Sequence, residues 1–246
     1  MPESLKICAV VPTYNNAGTL GSVLCGVYEH IKDIIVVNDG STDGTPDVLS
    51  ALSVPVVLVD FPKNKGKGKA LKAGLSKARE LGFDYAVTID SDGQHFPSDI
   101  PAFLDAIAAN PGAMIIGSRN IKAENMSSGS IFANHFSNFW FTVQTWIKLP
   151  DTQTGFRAYP LAKLPCLGIL TSRYEAELEL LVFSAWRGVR LIPIPVKVDY
   201  PEDRVSSFRP GADFTRISIL NTILCVLAIV YGYPRMLINK IFHCGA

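Results

Sequence analysis

The stretch "TIDSDGQHFP", residues 88–97, ends an apolar run in two carboxylates one residue apart, Asp90 and Asp92, followed by the amide of Gln94. The residues leading into it, "FDYAVTI", have the aromatic and β-branched content of a buried strand. The residues after it, "FPSDIPAFLDAIA", open a helix with acids in its first turns. The carboxylates therefore sit at a strand exit, and in an open α/β sheet ligands bind at that edge. Two oxygen ligands spaced this closely suit one hard cation, Mg²⁺ or Mn²⁺. His95 adjoins them, but a lone histidine there is more often structural or exposed than a ligand and stays outside the metal set.

Working outward, apolar runs at residues 7–11, 34–37, 54–59, 85–89 and 114–116 alternate with helix-like segments starting near Thr19, Thr45, Lys67 and Pro97. This alternation predicts a mostly parallel central sheet with crossover helices, an α/β fold. Thr45 before Pro46 reads as an N-cap with proline at the first helical position. The first 120 residues form one doubly wound, nucleotide-binding half.

Composition narrows the class. The 246 residues are 48% hydrophobic, enough for one substantial core, and 23 basic against 22 acidic residues give no electrostatic reason to expect nucleic acid. Cys8, Cys25, Cys166, Cys225 and Cys244 are scattered without a CxxC pair, which argues against a zinc site or a disulfide framework and for a reducing compartment. The N-terminal "MPESLKICAVVPTYNN" has too short an apolar run for a secretory signal, so the catalytic face is expected to be cytoplasmic.

"VVPTYNNAGTL" and "VVNDGSTDGTPDVL" place residues 13–16 and 39–44 side by side at the sheet's carboxyl edge, where Asp39 can accept hydrogen bonds from a base or ribose. Asp43 reads instead as a turn residue bonding its own backbone. In "NKGKGKALKAGL", Lys65, Lys67 and Lys69 crowd a helix start, a placement that fights the macrodipole unless an anion is present. A diphosphate would resolve the conflict. The segment lacks the GK[ST] of a P-loop and is not GxGxxG. "GSRN" sets Arg119 at another strand exit, and "DTQTGFRAYP" adds Asp151 and Arg157; a guanidinium at either place could clamp phosphate oxygens.

Taken in order, "VVPTYNN", "VVNDGSTDGT", "NKGKGKAL", "IDSDGQHFPSDIP", "GSRN" and "DTQTGFRAYP" resemble a family 2 glycosyltransferase of the GT-A fold, within it the dolichol-phosphate mannose synthase and polyprenyl-phosphate glycosyltransferase branch. The resemblance covers roughly residues 7–210. It implies a GT-A nucleotide-diphospho-sugar transferase domain over 1–210, with a nucleotide-sugar-binding half (1–120) and an acceptor half (121–210); beyond it, residues 211–246 read from their own composition as an apolar helical tail. By the same resemblance Pro12, Tyr14 and Asp39 hold the nucleoside, and Asp90, Asp92 and Gln94 hold the divalent cation. The family usually carries Glu where this chain has Asn16, which leaves the donor open between GDP- and UDP-linked sugars. Lys67, Lys69, Arg204 and Arg209 are candidate phosphate binders, the last two from the basic, serine-containing "DRVSSFR", which does not match the branch's usual form.

The implied activity is an inverting, metal-dependent transfer from a nucleotide sugar to a lipid-linked acceptor. Asp92, Arg119 and Glu177 are the catalytic candidates. Ser172 and Glu175 fit an S-x-x-E capping box. Glu177 is a base if the acceptor is a hydroxyl, and merely a helix acid if it is an already ionised polyprenyl or dolichyl phosphate. A transferase acting on a glycan or glycolipid hydroxyl, and a non-catalytic nucleotide-sugar-binding module, are the alternatives.

Two segments bear on membranes. "IFANHFSNFWFTVQTWIKL" spaces Phe132, Phe136, Trp140, Val143 and Ile147 along a helix, with Phe139, Phe141 and Trp146 around its other sides. Core packing and membrane contact both fit. "ISILNTILCVLAIVYGYP", residues 217–234, carries no charge and is followed by Arg235 and Lys240. It is borderline: a short or tilted membrane segment, an interfacial helix and a buried C-terminal helix all fit, and membrane contact without a claimed span is the expectation.

Overall fold

The computed structural model describes residues 5–120, 128–164, 171, 173, 175–199 and 210–243. Seven strands form one sheet: β1 (Ile7–Thr13), β2 (Ile34–Asn38), β3 (Val57–Asp60), β4 (Tyr85–Thr88), β5 (Met114–Arg119), β6 (Arg157–Pro160) and β7 (Leu191–Val196). Their spatial order is β3-β2-β1-β4-β6-β5-β7. Every pairing is parallel except the two made by β6, which runs antiparallel between β4 and β5.

Period-two alternation along the strands divides the core into two layers. Cys8, Val10, Ile35 and Val37 pack with Ala70, Leu71, Leu75 and Ala78 of α3 (Lys67–Glu80) and with α6 (Glu175–Trp186). Ala9, Val11, Ile34 and Val36 face the opposite layer, made by α1 (Leu20–His30) and α4 (Ile100–Ala109). β1 has its successor β2 on one side and β4 on the other, so the chain reverses direction across the sheet at the β1/β4 boundary. Ligands bind at such switch points.

Some local expectations shift. The third strand occupies Val57–Asp60 rather than 54–59, because it pairs from Ile35↔Val57 to Asn38↔Asp60. Thr45 is the first residue of α2 (Thr45–Ser50), with Gly44 in the cap position. Its hydroxyl accepts the Asn16 N–H at 3.1 Å, tying two loops together instead of capping its own helix. The helix expected from Pro97 begins as a 3₁₀ turn, Pro97–Asp99, before α4.

The aromatic helix α5 (Ser128–Thr145) buries a largely polar side. Asn134, Ser137, Gln144 and Thr145 are buried with Phe141, while Phe132, Phe139 and Trp146, the residue just beyond the helix, are 62%, 60% and 58% exposed. The reason lies in what α5 covers. Asn134 Nδ2 donates to Asp151 at 2.7 Å, the Ser137 and Thr152 hydroxyls lie 2.8 Å apart, and Asn138 accepts the Thr152 N–H at 3.0 Å. The irregular loop 150–154 needs these partners, since buried polar groups must be hydrogen-bonded.

The tail is α7 (Pro210–Leu227), a π-helical turn (Ala228–Gly232) and α8 (Tyr233–His243). Over Thr215–Ile241, 27 residues, it is long and apolar enough to cross a bilayer. It also docks on the α/β body. Leu220, Asn221, Leu224 and Ala228 are buried; Gln144 Nε2 donates to Asn221 Oδ1 at 3.0 Å; Trp146 stacks on Tyr233 at 4.2 Å. Ile219, Ile223, Val226, Ile229 and Val230 face outward.

Candidate active site

Strand exits assemble the site. Ser91, the residue between the two aspartates, is buried and donates to the Pro12 carbonyl at 3.0 Å, while Asn16 Nδ2 donates to its hydroxyl at 2.8 Å and the Thr19 hydroxyl to its carbonyl at 2.6 Å. The β1 and β4 exits are thereby fixed to each other. Sequence reasoning passed over Ser91 because the spacing of the two acids, not the residue between them, carried the reading.

Asp39 is buried at the β2 exit, and its carboxylate accepts the backbone N–H groups of Lys65 at 2.7 Å and Gly66 at 2.8 Å. It thus shapes the loop entering α3. Tyr14 is exposed beside it on the β1 loop. Asp43 behaves as its turn reading implies: it accepts Thr45 N–H at 2.9 Å and Ala17 N–H at 3.1 Å.

The three clustered lysines separate. The Lys65 ammonium lies over the Phe61 ring at 4.1 Å, and Lys69 is exposed. Lys67 turns inward, with Nζ 2.8 Å from Asp90 Oδ2 and 3.0 Å from Glu177 Oε1 on the first turn of α6. Burial works against its charge, but the Asp90 and Glu177 carboxylates outweigh that cost and push its pKa up. For Asp90 burial acts upward, and Lys67 with more distant positive groups, Arg119 among them, brings the carboxyl below its ordinary range.

Gly155 permits this arrangement. A Cβ there would stand 2.7 Å from Asp90 Oδ2 and 3.0 Å from Lys67 Nζ. The loop reaches the site because β6 pairs with β4, Thr88 opposite Arg157, and the Thr88 hydroxyl donates to the Gly155 carbonyl at 2.7 Å. Sequence reasoning missed Gly155, for which proximity to the acids was the deciding signal and is not local.

Arg119 forms a two-pronged pair with Asp151, Nε to Oδ2 at 2.6 Å and Nη2 to Oδ1 at 3.0 Å. Burial raises the Asp151 pKa, and the Arg119 hydrogen bonds and charge lower it further than burial lifts it. Arg157, considered as a phosphate clamp, is fully buried and donates to the carbonyls of Glu177 and Thr152, both at 2.8 Å. Its guanidinium is a structural strut under α6, because β6 carries it into the sheet interior.

Asp92 is exposed and accepts the Gln94 N–H at 3.0 Å. His95 is buried against Phe156, with ring centroids 5.3 Å apart, and burial pushes its pKa down to about 4. It is a neutral packing residue. Among the described residues no three His, Cys, Asp or Glu side chains converge on one cation position. The donor set still fits a hard cation: two carboxylates and an amide oxygen, all oxygen ligands, with one carboxylate already facing an ammonium. Arg204, Arg209 and Ser172 lie outside the described residues.

A family model described as glycosyl transferase family 2 matches residues 8–162, more than half of the sequence. The chain is a family 2 glycosyltransferase. Among its curated relatives is the UDP-N-acetylglucosamine–dolichyl-phosphate N-acetylglucosaminyltransferase of Methanococcus voltae, 30% identical over 218 residues, covering 80% of this chain and 86% of that one. The polyprenol monophosphomannose synthase of Mycolicibacterium smegmatis is 28% identical, with 78% and 76% covered. The undecaprenyl-phosphate mannosyltransferase of Micrococcus luteus is 26% identical, with 78% and 83% covered. In fold, this family 2 glycosyltransferase is similar to the Mycobacterium tuberculosis glucosyl-3-phosphoglycerate synthase in complex with Mn²⁺, uridine-diphosphate-glucose and phosphoglyceric acid, with a TM-score of 0.65, 19% identity, and 92% and 80% of the two chains covered. The expected GT-A architecture is thereby borne out.

Proposed function

We propose that this glycosyltransferase moves a sugar, with inversion, from a nucleotide-sugar donor to a polyprenyl or dolichyl phosphate at the cytoplasmic face of a membrane. The observation that carries the choice of acceptor is the state of Glu177. It is buried and paired with Lys67, which is itself paired with Asp90. A carboxylate held in that way is poorly placed to accept a proton from a hydroxyl, and an ionised phosphate acceptor needs no base. The names of the relatives, which act on dolichyl or undecaprenyl phosphate, favour the same class.

In this reading Pro12, Tyr14, Asn16 and Asp39 line the nucleoside side, and Lys69 with Arg204 and Arg209 serves the phosphates. Asp90, Asp92 and Gln94 would hold Mg²⁺ or Mn²⁺, which neutralises a departing nucleoside diphosphate when bound. Arg119, fixed by Asp151, contributes positive potential at the sheet edge that reaches Asp90 from a distance. Residues 1–210 act as the catalytic domain and 211–246 as the membrane-facing tail. The inside-out α5 and the outward apolar side of the tail support membrane contact, since exposed aromatic and aliphatic surface of this extent suits a lipid interface. The free thiols of Cys8, Cys25 and Cys225 suit a reducing compartment.

The test is acceptor dependence with Glu177→Gln at saturating Mn²⁺ and donor. Turnover on polyprenyl phosphate within about threefold of the parent supports the proposal; a loss on the order of 10²-fold, with activity on hydroxyl acceptors in the parent, supports a base instead.

A further inference from the structure

Lys67 stands where a divalent cation would compete with it for Asp90 and a diphosphate would compete with Asp90 for its ammonium. As the first residue of α3 it is disfavoured by the helix macrodipole, and solvent would accommodate it as it does Lys69. It turns inward instead because two carboxylates from different elements, Asp90 after β4 and Glu177 on α6, accept from the same ammonium. Oδ2 of Asp90 is therefore engaged by the ammonium. A hard cation held by Asp90, Asp92 and Gln94 draws on the same carboxylate, so ammonium and cation oppose one another there. A donor diphosphate brings new anionic oxygens to which the ammonium can turn while Glu177 keeps its stem anchored.

We infer that Lys67 makes cation binding conditional on the donor, holding Asp90 in the absence of nucleotide and passing to the diphosphate when the donor arrives. This role rests on the proposed assignment of Asp90, Asp92 and Gln94 to the cation. Lys67 is then a positioning residue that couples two ligands, and linkage requires the coupling to be reciprocal: nucleotide tightens the cation by the factor that the cation tightens nucleotide.

The experiment is Mn²⁺ binding to the full chain, followed by the electron paramagnetic resonance of free Mn²⁺, without nucleotide and with UDP or GDP in parallel. The proteins are the parent, Lys67→Met and Lys67→Gln, each checked for fold by near-ultraviolet circular dichroism. Loss of one charge-assisted hydrogen bond corresponds to a factor of about ten. Both variants are expected to bind Mn²⁺ alone about tenfold more tightly than the parent, and the tightening produced by nucleotide is expected to shrink by about tenfold. A residue that only packs the helix start would change neither ratio.

Parent protein that binds Mn²⁺ equally with and without both nucleotides overturns the inference without recourse to any variant. Coupling in the parent that persists undiminished in either folded variant overturns it while leaving the cation assignment standing. Absence of Mn²⁺ binding under every condition overturns both.

Discussion

Replacing Asp151 by Asn keeps the side chain's volume and removes its charge, which isolates what that carboxylate does for the β5 exit. In the parent it is fully buried and accepts from Arg119 Nε at 2.6 Å, Arg119 Nη2 at 3.0 Å, Asn134 Nδ2 at 2.7 Å and Gln153 N at 3.0 Å. The variant leaves the mostly buried Arg119 cation without its counter-charge, and breaking such a pair costs about 3–5 kcal/mol. For a chain of this length that is a large share of the total and corresponds to a fall in Tm of about 10 °C.

Urea unfolding at a series of pH values measures it. The folded-state pKa of Asp151 lies below its ordinary 3.8, so its contribution is fully present above that value and is lost as pH falls through the lowered one. The stability gap between parent and Asp151→Asn should therefore be flat from neutral pH down to about pH 4 and close under more acid conditions. A gap under about 1 kcal/mol at neutral pH, or one that already closes between pH 8 and 6, refutes the reasoning.

Gly155→Ala inserts a methyl group 2.7 Å from Asp90 Oδ2, so it should displace the Lys67–Asp90 pair and lower transfer roughly tenfold to a hundredfold in a folded protein; unchanged steady-state rates would contradict the role given to that contact. Gly232→Val would drive its side chain into the Trp186 ring, 2.5 Å from the position of Cβ, and so pry the tail from the body. Calorimetry should find nucleotide binding retained while use of the lipid acceptor falls, and equal loss of both would show that the tail is part of the donor site.

The parallel-sheet half was legible in the sequence because its signals are local. β1, β2, β4 and β5 are short apolar runs that end in chemistry-bearing residues, and the strand exit itself announces where Asp39, Asp90 and Arg119 stand. β6 and β7 were not read, since "RAYP" is only four residues long and "LIPIPV" contains two prolines that demote a strand to an edge position, which is where β7 lies. Asp43 as a turn residue also follows from a near neighbour, Thr45, whereas the burial of His95 against Phe156 does not.

Partners distant along the chain were decided only by the tertiary structure. Lys67 faces Asp90 and Glu177 because β6 and α6 return the chain to the β4 exit, and no periodicity in α3 encodes which anion its first lysine meets. The same holds for Arg119, whose guanidinium spacing suits a phosphate and a carboxylate equally, until the fold brings Asp151 to it. In α5 the sequence supplies an aromatic stripe and a polar one, and hydrophobicity alone would bury the aromatics. The hydrogen-bonding needs of loop 150–154 turn Asn134 and Ser137 inward, and Asn221 of the tail does the same for Gln144, which leaves Phe132, Phe139 and Trp146 outside. Local sequence fixes backbone preference over a few residues, whereas the partner of a buried charge or amide is set by whichever distant segment satisfies it.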